Sequence, residues 1–436
     1  MTRATVWTVA AVVASLGGGG CGQDESAPSA PLSPVRAIAS AGCSPVNYGG
    51  PGKPQLLIGA STPLQGQFAE HGVQVAQALK LVLAQNRWRA GPYRVGLQIC
   101  DETTAKSDFS DPAKCRSNAR AFARNRSVVA LLGAWSSSCT AEMLPILGRA
   151  PGGAIPTLGA SPTYLGLTRA GPGTAPHEPS KFYPTGGRNF IRVVPADDVQ
   201  AAAVAMYVKR KGATRVFALR DAEPYGDGLA EAFAVASKRI GLAVVGAAPW
   251  DGKAHDYGRL AMRVARSHAD AVFLGGYVFS NGPRLIKDLR AALPRAQLIG
   301  PDGMNQASTI VEGAGDAAEN FLSTIAVVPA TTLPPAGREF AEEFTRRYSQ
   351  NPCCFSVNAA QTARMVLDEI ARSGPDRARI IVQLRRAHVR NGLLGDFTID
   401  RFGDTSLTRM GIYRIEQGKF QFETSISPPT SLLSRR

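Results

Sequence analysis

The sequence predicts an α/β chain of two lobes, each built on a parallel sheet flanked by helices and joined to the other by hinge crossovers. Three observations predict it. The chain has 436 residues, too many for one ordinary core. Short β-branched runs alternate with amphipathic stretches of helical period from residue 54 onward. The alternation runs through twice before the order changes beyond Phe321, and two successive β/α sets mean two sheets covered on both faces.

The elements follow in order. "QLLIGAS" reads as a strand and "VQVAQALKLVLAQN" as a helix, with Val73, Ala76, Leu79, Leu81 and Val82 crowding one side. Strand "YRVGLQIC", helix "PAKCRSNARAFARN", strand "SVVALLGAW", a helix opening near "SCTAEMLPILGR" and strand "AIPTLGAS" complete the first set. The second runs from strand "NFIRVVPA" through helix "DDVQAAAVAMYVKRKG", strand "TRVFALRD", helix "DGLAEAFAVASKRIG", strand "LAVVGAA", helix "YGRLAMRVARSHA", strand "AVFLGGY" and helix "GPRLIKDLRAAL" to strand "AQLIGPDG". Then come "STIAVVP", the helices "GREFAEEFTRRYS", "SVNAAQTARMVLDEIARS" and "RARIIVQLRRAH", and the short strands "GDFTIDRFGD" and "MGIYRIEQGKFQF", which read as crossings back over both lobes. The Gly/Pro-rich stretch at residues 169–187 reads as an irregular surface loop.

The start of the chain, "MTRATVWTVAAVVASLGGGGCG", has one Arg, an apolar segment from Val6 to Leu16 and then small residues, the layout of a secretory signal. Cys21 sits where a bacterial lipoprotein signal would be cut and lipidated, although Gly18 stands where that motif usually has Leu. The Ser/Ala/Pro-rich stretch after Cys21 lacks apolar periodicity and reads as a flexible tether from a membrane to the body. Within the body no apolar run approaches the roughly 18 residues that a membrane span needs.

The formal net charge is +15, but Arg and Lys are scattered along helices without interleaved aromatics, so solvated helix faces explain them better than nucleic acid does. Cys43, Cys100, Cys115, Cys139, Cys353 and Cys354 form an even set in an exported chain, so disulfides are expected. The sequence does not choose among their connectivities. A zinc site would need closely spaced Cys or His pairs. The one tight pair, Cys353 and Cys354, is adjacent, and adjacent side chains point apart in most backbones, so no metal or other cofactor is expected.

In open α/β sheets ligands bind beyond the carboxyl ends of the strands. In this chain those ends carry Ser61 and Thr62, the run Ser136 to Ser138, Ala160 and Ser161, Asp221 to Tyr225, Tyr277 and Asp302. One hydroxyl of the serine run is a natural N-cap, and the amides and dipole of a helix start favour a carboxylate or phosphate there. Ser161 would donate to the same anion while the Ala160 carbonyl accepts from an amine. Tyr225, at a helix start, would close its ring over a ligand, and Asp302 would face a ligand ammonium with a charge-assisted bond. Capping, turns and packing account for each of these residues taken singly.

The same stretches carry a family resemblance. "IGASTPLQGQFAEHG", "SVVALLGAWSSSCTAEMLPIL", "PTLGASPTYLGLT", "FIRVVPADDVQAAA", "DAEPYGDGLAEAF", "DAVFLGGY", "LIGPDGMN" and "GDFTIDRFGD" stand in the order and spacing of the family. From about Gln55 to Phe422 the chain resembles a type I periplasmic binding protein, of the leucine/isoleucine/valine-binding branch of ABC-transporter solute receptors. The resemblance implies two Rossmann-like lobes that clamp an amino acid. It implies that Ser137 and Ser161 hold the α-carboxylate, that Ala160 and Asp302 take the ammonium, and that Tyr225, Tyr277 and Phe355 wall the pocket. His71 replaces a first-loop aromatic of the family, and Asp302 stands where some amino-acid binders have the longer Glu. A disulfide between Cys115 and Cys139 is implied, with Cys100–Cys115 as the alternative. The expected organisation is a signal peptide at 1–20, a tether at 21–53, an N-terminal lobe from 54–193 and 328–388, and a C-terminal lobe from 194–327 and 389–425.

The expected function is that of a tethered extracytoplasmic receptor passing a branched-chain amino acid or similar zwitterion to an ABC permease in the membrane. A sensor feeding a membrane kinase would use the same clamp. An enzyme is disfavoured: the five His form no H-E-x-x-H, and no G-x-S-x-G elbow or P-loop occurs. A secreted serine hydrolase would need a base oriented beside one of Ser136 to Ser138.

Overall fold

Leu56–Thr62 is buried at every position, as a strand covered by helices on both faces must be. The computed structural model describes Met1 and residues 34–40, 42–104, 109–221 and 223–433. Met1–Ser33 and Pro34–Arg436 are separate units, and the fold lies in the second. Residues 2–20 of the expected signal peptide, Cys21 and residues 22–33 of the expected tether fall outside the described residues.

The first lobe contains β1 (Leu56–Thr62), α1 (Ala69–Gln85), β2 (Arg89–Ala90), β3 (Tyr93–Asp101), α2 (Pro112–Arg124), β4 (Val128–Leu132), α3 (Ser137–Leu147), β5 (Thr157–Gly159) and β6 (Phe190–Arg192). The sheet order is β2-β3-β1-β4-β5-β6, parallel except for the β2–β3 pair. The second lobe contains α4 (Asp197–Arg210), β7 (Arg215–Arg220), α5 (Pro224–Arg239), β8 (Ala243–Pro249), α6 (Gly258–Arg266), β9 (Ala271–Gly275), α7 (Gly282–Ala292), β10 (Gln297–Gly300), α8 (Ala307–Ala314) and β11 (Leu322–Ile325). The chain then returns through α9 (Pro335–Tyr348), α10 (Ser356–Ser373), α11 (Arg377–Leu384), β12 (His388–Gly392) and β13 (Gly395–Thr398), and ends in β14 (Met410–Glu416) and β15 (Lys419–Ile426). The second sheet runs β15-β14-β11-β10-β9-β7-β8, with β14 and β15 antiparallel at one edge.

Strand order decides where a ligand can sit. In the first sheet the connections reverse direction between β1 and β4, and in the second between β7 and β9. At such a switch point the loops beyond the strand ends part and leave a crevice. Those ends carry Ser61, the Ser136 run, Asp221 and Tyr277.

Several expectations are corrected. The "NFIRVVPA" strand does not open the second set: β6 pairs with β5 and closes the first sheet. The N-terminal lobe extends past residue 388, because the β12–β13 hairpin buries Leu393, Phe397 and Ile399 in the core of α1, α9 and α10. The chain therefore passes between the lobes three times: between β6 and α4, between β11 and α9, and just before Met410, where β14 joins the second sheet. Residues 34–53 are not a free tether: Cys43 is bonded to Cys100, Asn47 pairs with Leu97, and Ile38 is buried beside Phe122 and Leu57. Val73 is 41 % exposed rather than part of the buried side of α1.

The Gly/Pro-rich stretch at 169–187 is likewise anchored rather than a loose loop. Its first residue, Arg169, is buried against Asp198 at 3.1 Å and Asp404 at 3.2 Å, and Tyr183 donates to the Leu167 carbonyl. Arg192, fully buried, pairs with Asp404 at 2.8 Å and donates to the Tyr164 carbonyl and to Thr168. Burial alone would raise the Asp404 pKa, but Arg192 and Arg169 outweigh it and hold the carboxyl below its usual range. The network ties the loop after β5 to the segment that precedes the third crossing.

Cys115 is bonded to Cys139, and Cys353 to its neighbour Cys354. The expectation that this adjacent pair would point apart does not hold. Among the described residues no helix is long and apolar enough to cross a membrane.

Candidate functional site

The serine run sits where β4 gives way to α3. Gly133 has φ of +115° and a side chain there would meet the Ser61 carbonyl at 2.3 Å, so only glycine turns the chain off the sheet at this point. Ser136 is the N-cap, its hydroxyl accepting from the Cys139 amide at 3.0 Å. Ser137 is the first residue of the helix, and its hydroxyl accepts from the Tyr164 amide at 3.1 Å, which leaves its proton free to donate. The first-turn amides of α3 have no intrahelical acceptor, and the positive end of the helix dipole adds to them.

An acid that sequence reasoning passed over holds this loop. Glu102, buried, accepts from the Trp135 and Ser136 amides at 3.1 and 3.2 Å and from the hydroxyls of Ser61 and Ser110. Burial raises its pKa, against the pull of those four donors. The signal was present in the sequence: two acids, Asp101 and Glu102, stand at the end of a strand.

On the facing lobe, Asp302 follows β10. The Tyr225 hydroxyl donates to it at 2.5 Å and accepts from the Gly303 amide at 3.1 Å. The Tyr225 ring stacks on Tyr277 with centroids 4.5 Å apart. Tyr225 thus orients the acid instead of simply covering a ligand. Its helix, α5, begins at Pro224, earlier than the expected Asp227. Burial raises the Asp302 pKa, with the Tyr225 hydrogen bond opposing.

One narrow crevice joins these parts, with about 410 Å³ of space free of protein atoms when the part open to solvent is counted. His71, Ser137, Ser161, Tyr225, Tyr277, Asp302 and Phe355 all line it. Ala160 does not: it is buried in the core of the first lobe. The proton of Ser161 is directed to the Trp135 carbonyl at 2.7 Å, so its hydroxyl faces the cavity as an acceptor. His71 lies in the first turn of α1, with ring centroids 5.4 Å from Phe68 and 6.0 Å from Trp135. Burial lowers its pKa to about 4, so it is neutral at pH 7.

Aromatic residues that sequence reasoning missed close the crevice. Phe109 lies 4.7 Å from Tyr277 and 5.0 Å from Phe279 across the lobes, and Phe68 lies 6.3 Å from Phe279. Trp135 also lines the cavity, and its indole N–H has no acceptor among the described residues. The site therefore offers donors on one wall, a carboxylate on the other and apolar rings between. That set suits a small molecule with an anionic and a cationic end.

A family model described as "Periplasmic binding protein" matches residues 55–419. The chain belongs to this family. Among curated relatives of this periplasmic binding protein, the Leu/Ile/Val-binding protein BraC3 of Rhizobium johnstonii is 28 % identical over 53 % of the chain and 62 % of the relative. The chain thus spans less than two thirds of that relative's length. The Leu/Ile/Val-binding protein homolog 1 of Brucella suis is 22 % identical over 86 % of the chain and 94 % of the relative. The crystal structure of the leucine-binding protein LivK from Thermotoga maritima superposes with a TM-score of 0.71 at 21 % identity, covering 86 % of this chain and 99 % of that one. The two-lobed α/β fold is therefore that of the family's solved members.

Proposed function

We propose that this periplasmic binding protein is the extracytoplasmic receptor of an ABC transporter and encloses an amino acid, of branched-chain type or similarly apolar, between its lobes. The observation that carries the reading is that Ser137 and Asp302, from opposite lobes, line one cavity. The α-carboxylate is received at the start of α3 by Ser137 and the first-turn amides, with the Trp135 indole as a further donor. The ammonium is received by Asp302, which Tyr225 orients, and by the acceptor hydroxyl of Ser161. His71, Tyr277, Phe109 and Phe355 surround the side chain. Closure is a rigid rotation of the lobes about the three crossings, and the closed form presents its joined surface to the permease.

The names of the relatives, which are Leu/Ile/Val-binding proteins, support the ligand class. Cys21 is the proposed site of a lipid anchor that keeps the receptor at the membrane. No catalytic step is assigned: the family is one of solute receptors, and His71, the histidine on the cavity wall, is 5.4 Å from Phe68 and 6.0 Å from Trp135, ring centre to ring centre. Calorimetric titration with a panel of amino acids tests the reading. Saturable one-to-one binding of at least one apolar amino acid is expected, and absence of binding to every amino acid in the panel would defeat it.

A further inference from the structure

A second cavity lies behind the cleft, at the hinge. It encloses about 1000 Å³ of space free of protein atoms, part of it open to solvent. Each of the three crossings contributes to its walls, through Val193, Val327 and Leu407, and Leu333 and Leu394 extend the apolar lining.

Its polar features converge on the start of α10. That helix has 18 residues and no side-chain cap, its N-cap position being Phe355. Its first intrahelical bond runs from the Ala359 amide to the Phe355 carbonyl, so the amides of Val357 and Asn358 have no helical acceptor. Both residues line the cavity. Ser356 lines it too, is 1 % exposed, and its hydroxyl has no partner among the described residues. A buried hydroxyl without a partner is costly. Arg409, a solvent-exposed residue at the rim, is the sole charged residue among those lining the cavity, and its guanidinium is held by the Ser425 hydroxyl and the Thr332 carbonyl.

Uncapped amides and an unused buried hydroxyl call for an anion, the Arg409 charge at the rim favours one, and the walls call for an apolar body. We infer that the hinge cavity is a second ligand site, for a small apolar monocarboxylate, and that its occupancy is coupled to closure of the cleft. Phe355 is the physical link. It lines the hinge cavity on one side and the cleft on the other, and it packs against Val194 and Ile325 at the feet of two crossings. A molecule wedged among the crossings favours whichever lobe angle leaves it best packed, and so changes the affinity of the cleft.

The site stands independently of the cleft assignment, whereas the coupling rests on the proposed amino-acid binding. Octanoate and phenylacetate serve as probes, titrated by calorimetry into the wild-type protein, Ser137→Ala, Ser356→Ala, Arg409→Gln and Val327→Trp. Ser356→Ala removes no side-chain hydrogen bond seen among the described residues, so its fold is secure. At least one probe is expected to bind wild type and Ser137→Ala equally. Its affinity should fall about tenfold in Ser356→Ala and in Arg409→Gln, and further in Val327→Trp, whose indole ring occupies part of the cavity. Failure of both probes to bind, or loss confined to Ser137→Ala, overturns the site. The coupling is read by titrating the amino acid with and without saturating probe: a change in Kd of about fivefold or more is expected, mirrored in the reverse titration. An unchanged Kd with the probe bound overturns the coupling and leaves both sites standing.

Discussion

The hydroxyl of Tyr225 donates to the carboxylate of Asp302 at 2.5 Å while accepting from the Gly303 amide. The acid is thereby fixed at the cavity wall before any ligand arrives. Tyr225→Phe keeps the stack on Tyr277 but removes both bonds. A hydrogen bond to a charged group is worth about 1.5–3 kcal/mol, so amino-acid binding should weaken by roughly 10- to 150-fold with the fold intact. Calorimetry alongside thermal denaturation of the variant checks both halves.

His71 gives a pH signature. Its folded pKa is about 4 against an unfolded value near 6.5. Between those values only the unfolded chain takes up the proton, so this residue's contribution to stability is complete above pH 6.5 and is lost as the pH falls towards 4. The loss at pH 4 amounts to about 3 kcal/mol at most. Denaturant unfolding of wild type and His71→Phe at pH 7.5, 6 and 5 should show wild type losing stability relative to the variant as the pH falls, measured from their separation at pH 7.5.

Asp197, the first residue of α4, behaves in the opposite sense. Burial, reinforced by nearby Asp302 and opposed by Arg192, raises its pKa to about 8. From about pH 4 to 8 the unfolded carboxyl ionises while the folded one does not, so this group costs stability progressively as pH rises through that window. Asp197→Asn should stabilise the protein by a few kcal/mol at pH 8 and by little at pH 4. Chemical denaturation at the two pH values measures the difference.

The pairing of Asp404 with Arg192 and Arg169 predicts a stability defect that reaches the site. Asp404→Asn leaves the buried Arg192 guanidinium without its carboxylate and Arg169 with Asp198 alone, and removing one member of a buried pair costs about 3–5 kcal/mol. The loop after β5, held by Arg192 through the Tyr164 carbonyl and Thr168, should loosen with it. Urea unfolding gives the first effect, and faster amide exchange at residues 161–168 the second.

Much of this was legible in the sequence because strand ends are. The runs that became β4, β7, β9 and β10 end in Ser136, Asp221, Tyr277 and Asp302, and parallel packing brings all such ends to one edge. What stayed hidden depended on pairing across long sequence distances. Residues 34–53 look like a tether by composition, yet the Cys43–Cys100 bond and the Asn47–Leu97 bridge fix them to β3. Phe109 stands in a polar stretch with no periodicity to mark it, and only lobe closure gives it Tyr277 and Phe279 as neighbours. The β12–β13 hairpin went to the wrong lobe because its apolar residues are few and its partners lie in helices far upstream.

The central claim is that Ser137 and Asp302 grip opposite ends of one ligand. Calorimetry with leucine and with its decarboxylated analogue 3-methylbutylamine, on wild type, Ser137→Ala and Asp302→Asn, tests it most directly. The account predicts that Asp302→Asn weakens both compounds, that Ser137→Ala weakens leucine about tenfold or more but leaves the amine unchanged, and that wild type prefers leucine. Leucine binding wild type and both variants with the same affinity would contradict it.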